Sequence, residues 1–471
     1  MLSKNRNKAL SAFGVLLLVM GQVLPQLDFS IVNVALDVIG NTLKTDETGL
    51  VLIVALYGLS FAALITTGGR LGDKYGRKRL FMIGIIGFCI ASAICGFAAD
   101  IIAMLVGRVL QGLFAALLMP QILATIHTTL EGDRHRNAVG IYTSIAGLSV
   151  VIGQVVGGWL VSANLWHLGW RIAFFINVPI CMVIFILGYF VIPETQSDKA
   201  QQHMDVRGIV LFILCLSLIM MPVSLGKHWP ELWWLLLGAP PCAMLLWKAE
   251  KAYEMAGRKP ILPPSLFKTP MVINGFVSEM TVTFTYPGYL FVTALCLQSA
   301  IGFTSFESGN SFIALGVMFF IGSLISKPLS KRIGDAKSFA LGSILSVIGF
   351  LGTVSLIYHF NADLRFYHLW IATGAVGIGD AIRLTSAYRI ALSRVGKHLA
   401  SEASSALVTV QQGCAALGTA FTGAIYSFAL VQGYLTAITI SIGVVSLLAL
   451  FVGIPVYIKT AGALKANLNA S

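Results

Sequence analysis

Of 471 residues, 57% are hydrophobic and 11% charged, and the formal net charge is +12. Soluble chains carry about 25% charged residues, so a water-soluble globular fold is excluded. The longest polar connections, Pro193 to Arg207 and Trp247 to Pro270, are too short for a folded soluble domain.

Apolar runs separated by charge and by Gly or Pro predict fourteen spans, at 13–38, 49–69, 80–98, 101–127, 138–162, 171–192, 207–226, 231–250, 271–298, 306–329, 338–360, 367–392, 401–430 and 434–458. Lys4, Arg6 and Lys8 precede the first run with no small-residue cleavage site after it, so this segment is expected to stay as a cytoplasmic anchor. With both termini inside, 26 Lys and Arg fall on the inner side, while Lys44, Arg171, Lys227 and Arg365 fall on the outer side. Such asymmetry sets the orientation. Basic loops facing an anionic inner leaflet account for the net charge through contact with lipids, without nucleic acid. Trp159, Trp166, Trp170, Trp229, Trp233, Trp234 and Trp370 fall near the outer ends, as an interfacial belt would.

Cys89, Cys95, Cys181, Cys215, Cys242, Cys296 and Cys414 all lie within apolar stretches and form no CxxC pair, so they are expected as core hydrophobes. The histidines are scattered, and no cluster of His, Cys or acidic ligands is legible. No metal, no cofactor and no enzyme activity are expected. No GxxxxGK followed by Ser or Thr occurs, so nucleotide hydrolysis is not the expected source of energy.

Charge inside hydrocarbon costs at least about 2.5–3.5 kcal/mol per residue, so Asp28, Arg108, Glu279, Asp380 and Arg383 each need a reason to be there. Asp380 and Arg383 are three apart on one helix and can neutralise each other, as a structural or a functional pair. Asp28 has no opposite charge nearby in sequence, and Pro25 one turn earlier frees a carbonyl. A carboxylate in an apolar cavity can take up and release a proton, or hold a cation. Asp28 is thus the leading candidate, against a carboxylate satisfied by hydrogen bonds from neighbouring helices. Glu279, with Thr281, Thr283 and Thr285 beyond it, is a second protonatable candidate or a polar packing residue.

After the second span the chain runs Gly69-Arg70-Leu71-Gly72-Asp73-Lys74-Tyr75-Gly76-Arg77-Lys78-Arg79, a tight turn clamped by charge. Gly72 and Gly76 permit close backbone approach, and Asp73 is placed to cap a helix or pair with an arginine. This loop resembles the GxLxDxxGRKxx signature of the major facilitator superfamily. Arg108, Gln111 and Gly112 resemble that family's span-four motif, whose arginine the family places near the proton path. Gly153, Gly157 and Gly158 resemble its span-five antiporter motif GPxxGG, with Gln154 where proline is expected. Gly147 with those three glycines allows close helix contact. The run Leu27 to Leu36 and the run Trp170 to Pro179 are similar to LDxTIVNVALP and WRxxFFINVP of the fourteen-span drug:proton antiporter subfamily.

The stretch from Lys327 to Lys337 echoes the loop from Arg70 to Lys78, with Gly334 beneath Gly76. Lys331 falls where Asp73 would be, so no charge clamp is expected there. The echo and the resemblance imply an all-α integral membrane fold of that superfamily: an N-terminal six-helix bundle over 11–195, two inserted transmembrane helices with flanking loops over 196–269, and a C-terminal six-helix bundle over 270–460. The resemblance further implies proton-coupled efflux of amphipathic, cationic or neutral toxic compounds by alternating access. A monomer in a bacterial inner membrane is expected, with small molecules, protons and lipids as its partners. Asp28, Arg108, Glu279, Asp380 and Arg383 would serve the coupling, Gly69 to Lys78 the conformational switch, and Gly147 to Gly158 the hinge. The alternative is an exporter of one defined metabolite, such as a siderophore, lipid precursor or amino acid.

Overall fold

A computed structural model describes residues 10–195, 205–227, 229–258, 260–268, 270–393, 395 and 400–468. Lys4, Arg6, Lys8, Lys199, Lys259, Arg394 and Lys397 of the inner basic set lie outside the described residues.

In chain order the helices are α1 Ala12–Leu43, α2 Glu47–Tyr75, α3 Arg77–Phe97, α4 Ile101–Thr129, α5 Gly132–Ala163, α6 Ile172–Phe175, α7 Asn177–Val191 and α8 Val206–Leu225. Then follow α9 Ala239–Met255, α10 Pro270–Leu295, α11 Ser305–Asn310, α12 Ile313–Ile333, α13 Asp335–Phe360, α14 Trp370–Leu392, α15 Ala400–Ala429 and α16 Tyr434–Leu468. Starts are set by side-chain caps. Ser11, Asp46 and Asp100 accept from the backbone N–H groups of Gly14, Gly49 and Ala103, at 3.0, 3.0 and 2.8 Å, and so satisfy donors that a helix start leaves open. The predicted span 171–192 is interrupted at Ile176, where Pro179 lacks the N–H that would bond back to Phe175.

Among the described residues, twelve helices are long and apolar enough to cross a membrane. The predicted spans 138–162 and 367–392 do form helices, α5 and α14, and α14 does not meet the same measure. In α14 the glycines together with Asp380 and Arg383 lower the hydropathy.

The chain forms two compact units, Met1–Cys215 with Cys242–Ile261, and Leu216–Pro241 with Leu262–Ser471. The predicted inserted helices are thus shared between the units, the start of α8 and most of α9 going with the first. In the first unit α4 packs on α2 and α3, α1 on α5, and α3 on α7. In the second unit α14 packs on α12 and α13, α10 on α15, and α13 on α16. The order of pairing repeats. Each unit also brings two backbones together at a glycine. A Cβ on Gly153 of α5 would sit 2.8 Å from the Leu27 carbonyl of α1, and one on Gly418 of α15 would sit 2.0 Å from the Phe284 carbonyl of α10.

Candidate functional site

In the first unit the buried charges meet. Asp28 of α1 and Arg108 of α4 form an ion pair with both side chains fully buried. Asp28 is therefore not the lone carboxylate that the sequence suggested. Eighty residues separate the partners, and the packing of α1 against α4 closes that gap. The pair is finished by neutral groups. Gln111 and Asn177 each donate to Asp28 Oδ1 at 2.9 Å, and both also reach Ser92, at 2.8 and 3.4 Å. Arg108 donates its Nε to the Ile53 carbonyl at 2.9 Å and Nη1 to Gln111 at 2.7 Å. Its guanidinium lies 4.3 Å from the centroid of the Tyr57 ring, and Tyr57 donates to the Pro25 carbonyl at 3.1 Å. Buried charge is tolerable when most of its lone pairs and protons are met, and here only Arg108 Nη2 and Asn177 Oδ1 lack a hydrogen-bond partner among the described residues. Pro25 earns its place here, since the Tyr57 hydroxyl that braces the cation ends on its carbonyl.

In the second unit, Asp380 and Arg383 make the expected pair on α14, at 2.5 Å and fully buried. Ser346 of α13 donates to Asp380 Oδ1 at 3.0 Å, and Arg383 donates to Thr285 of α10 at 3.4 Å. Glu279 of α10 is different. It is fully buried, neither carboxyl oxygen has a hydrogen-bond partner among the described residues, and Arg383 lies within electrostatic reach without bonding it. Thr283 spends its hydroxyl on the Glu279 backbone carbonyl at 2.8 Å, so it does not serve the carboxyl.

The loop between α2 and α3 is held as its glycines and charges suggested. Gly76 takes φ of +105°, in the region open to glycine. A Cβ there would come 2.8 Å from the carboxylate of Glu194, which accepts from the backbone N–H groups of Lys78 and Arg79 at 3.0 and 3.3 Å and so caps the start of α3. Asp73 pairs with Arg77 at 2.7 Å, and Arg77 then reaches α4 at the Ala124 carbonyl, 3.2 Å, and the Thr128 hydroxyl, 2.9 Å. A Cβ on Gly72 would collide with Gln121 of α4 at 1.8 Å, while Gly69 lies over Pro120. Arg70 is half-buried one turn before. Lys78 donates to the Tyr189 carbonyl at 2.5 Å.

The echo of this loop in the second unit does carry a charge clamp, contrary to expectation. Asp335, directly after Gly334, accepts from Arg389 Nε of α14 at 2.5 Å and from Ser330 at 2.6 Å. The polarity is exchanged. The acid now stands at the start of α13, and the arginine comes from the neighbouring helix. On α5, Gly153 lies against Leu27 and Ser30 of α1 and Gly157 against Ile31 and Val34. Gln154 between them is buried, and both its amide atoms are unpartnered among the described residues. Gly158 is buried beside Gly157, and Gly147 lies within the same helix.

Sequence reasoning did not assign Gln111, Asn177, Ser92 or Tyr57 to the Asp28 site. Gln111 and Asn177 stood inside quoted motifs, and their polarity within apolar runs was the available signal.

Residues 18–419 match the model of the Major Facilitator Superfamily. The chain belongs to the major facilitator superfamily. Superfamily members are membrane transporters, and this one is a multi-pass membrane protein rather than an enzyme. It is 29% identical over 414 residues to the tetracenomycin C resistance and export protein of Streptomyces glaucescens, covering 87% of this chain and 74% of that one. It is 30% identical over 421 residues to a probable actinorhodin transporter of Streptomyces coelicolor, covering 88% and 72%. Among solved structures, a peptide transporter, POT, superposes with a TM-score of 0.67 at 14% identity, over 97% of this chain and 96% of that one. At that identity the likeness carries the fold alone.

Proposed function

We propose that this superfamily member exports amphipathic, cationic or neutral toxic compounds in exchange for protons, by alternating access in a bacterial inner membrane. The observation that carries the proton-coupling reading is Glu279, a buried carboxyl with no hydrogen bond, close to the neutralised pair Asp380 and Arg383. A carboxyl so placed is stable as the neutral acid. Once it gives up its proton it needs a positive charge, and either a cationic substrate or a rearranged Arg383 supplies one. Asp28 and Arg108 suit a different part of the work. Protonating Asp28 would leave Arg108 buried without a counter-charge, so the pair fits a joint that holds α1, α4 and α7 together more than a proton carrier. The relatives named as a tetracenomycin C resistance and export protein and a probable actinorhodin transporter support the efflux reading.

The same proposal counts α5 and α14 as spans, giving fourteen, with both termini cytoplasmic and the bundles bounded near 11–195 and 270–460. One proton returning through a membrane potential releases about 2.3 kcal/mol per 100 mV, enough to concentrate a hydrophobic compound several tens of times. An exporter of one anionic metabolite is less well supported, because Arg383 is already engaged by Asp380 and Thr285.

The direct test is purified protein in liposomes under an imposed pH gradient, with a panel of organic cations, neutral dyes and organic acids. Uptake of cations or neutral dyes that collapses with the gradient supports the proposal. Movement of organic acids alone, or transport indifferent to the gradient, contradicts it.

A further inference from the structure

The mechanism leaves a set of buried amides unused in the first unit. Asn33 on α1 and Gln154 on α5 are 0% and 1% exposed, and all four of their amide nitrogens and oxygens lack a hydrogen-bond partner among the described residues. Gln22 on α1 is 1% exposed, and its carbonyl oxygen is likewise unpartnered. Most buried polar groups in folded proteins are paired, and an unpaired one costs about 1–3 kcal/mol. Five such atoms on one helix pair therefore offer donors and acceptors that a bound molecule can meet.

Their placement is coherent. Gln22 and Asn33 are eleven residues apart, about three helical turns, and so share one face of α1. Asp28 lies about 120–140° around the helix from both, turned toward Arg108, Gln111 and Asn177. The stretch 27–34 of α1 runs beside 153–157 of α5, since Gly153 abuts Leu27 and Ser30, and Gly157 abuts Ile31 and Val34. Asn33 belongs to the first of these stretches and Gln154 to the second.

We infer that Asn33, Gln154 and Gln22 form a binding site for neutral molecules rich in carbonyl and hydroxyl groups, such as hydroxyquinones and hydroxylated amides. The amides are uncharged and offer donors and acceptors together, which matches ligands that present both. A cation would gain little from them, and Asp28 on the same helix is already neutralised by Arg108. Gln154 occupies the position that proline takes in the span-five motif, so this chain places a hydrogen-bonding group where that motif has none. The inference rests on the export reading and narrows its substrate class.

The test is equilibrium binding to the full-length protein in detergent without any proton gradient, so that its outcome is independent of whether transport is proton-coupled. The probes are quinizarin and chloramphenicol, both neutral, and ethidium, a permanent cation. Asn33→Leu and Gln154→Met should each weaken binding of at least one neutral probe about three- to tenfold, the worth of a net hydrogen bond, and leave ethidium binding unchanged. Because the Gln154 amide has no partner among the described residues, Gln154→Met should unfold at the same or a higher temperature than the parent. The near-isosteric Gln154→Glu guards against loss of fold and should also weaken the neutral probes selectively. Failure of the parent to bind either neutral probe would overturn the inference, as would equal loss for all three probes or no loss for any.

Discussion

Two ion pairs in this protein look alike and were not equally visible. Asp380 and Arg383 sit three apart on one helix, and helical spacing alone brings them together. Asp28 and Arg108 lie on different helices, and no periodicity links them. The sequence showed each as a costly buried charge but could not show that one cost cancels the other. Asn177 escaped for the same reason, since its value comes from α7 passing beside α1. Because both Asp28 and Arg108 are fully buried, Asp28→Asn strands the guanidinium and should destabilise the protein by about 3–5 kcal/mol. The double change Asp28→Asn with Arg108→Gln should cost clearly less than the two single losses added. Thermal unfolding of the purified variants checks this, and additive losses would contradict the pairing. The same cycle on Asp380 and Arg383 should give the same sign.

At the scale of the helices, close approach is where glycine matters, and the position of a glycine in the sequence does not reveal it. A Cβ on Gly418 would meet a carbonyl of α10 at 2.0 Å, whereas one on Gly443 of α16 would have nothing within 4 Å. Gly418→Ala should force α10 and α15 apart and cost about 1–3 kcal/mol. Gly443→Ala should be neutral or stabilising by up to about 1 kcal/mol, the difference in helix propensity. Equal effects would count against the α10 and α15 seam as described. The apolar pattern located nearly every helix, because membrane spans must satisfy their own backbone bonds whatever their neighbours are. It gave α14 as a span at 367–392, and the break at Ile176 was hidden in an otherwise apolar run.

Across the whole chain, the two units repeat one order of helix pairing and one kind of loop clamp. The second clamp was missed by aligning Lys331 with Asp73, a search for the residue where the physics requires only an opposite charge near the turn. Asp335 and Arg389 provide it with signs exchanged. Both clamps tie a helix start to a neighbouring helix, so both are expected to set the rate of conformational cycling. Asp73→Ala and Asp335→Ala should each slow transport severalfold while changing equilibrium binding of substrate by less than about twofold. Stopped-flow uptake beside binding isotherms separates the two, and lost binding with an unchanged rate would assign the clamps a different role.

Proton coupling as proposed depends most on Glu279, whose buried carboxyl has no hydrogen-bond partner among the described residues. Glu279→Gln keeps the shape and removes the titration. Reconstituted in liposomes with a pH-sensitive dye inside, this variant should fold with an unchanged melting temperature, bind substrate, and show no substrate-driven proton movement. Proton movement equal to that of the parent protein would contradict the coupling scheme.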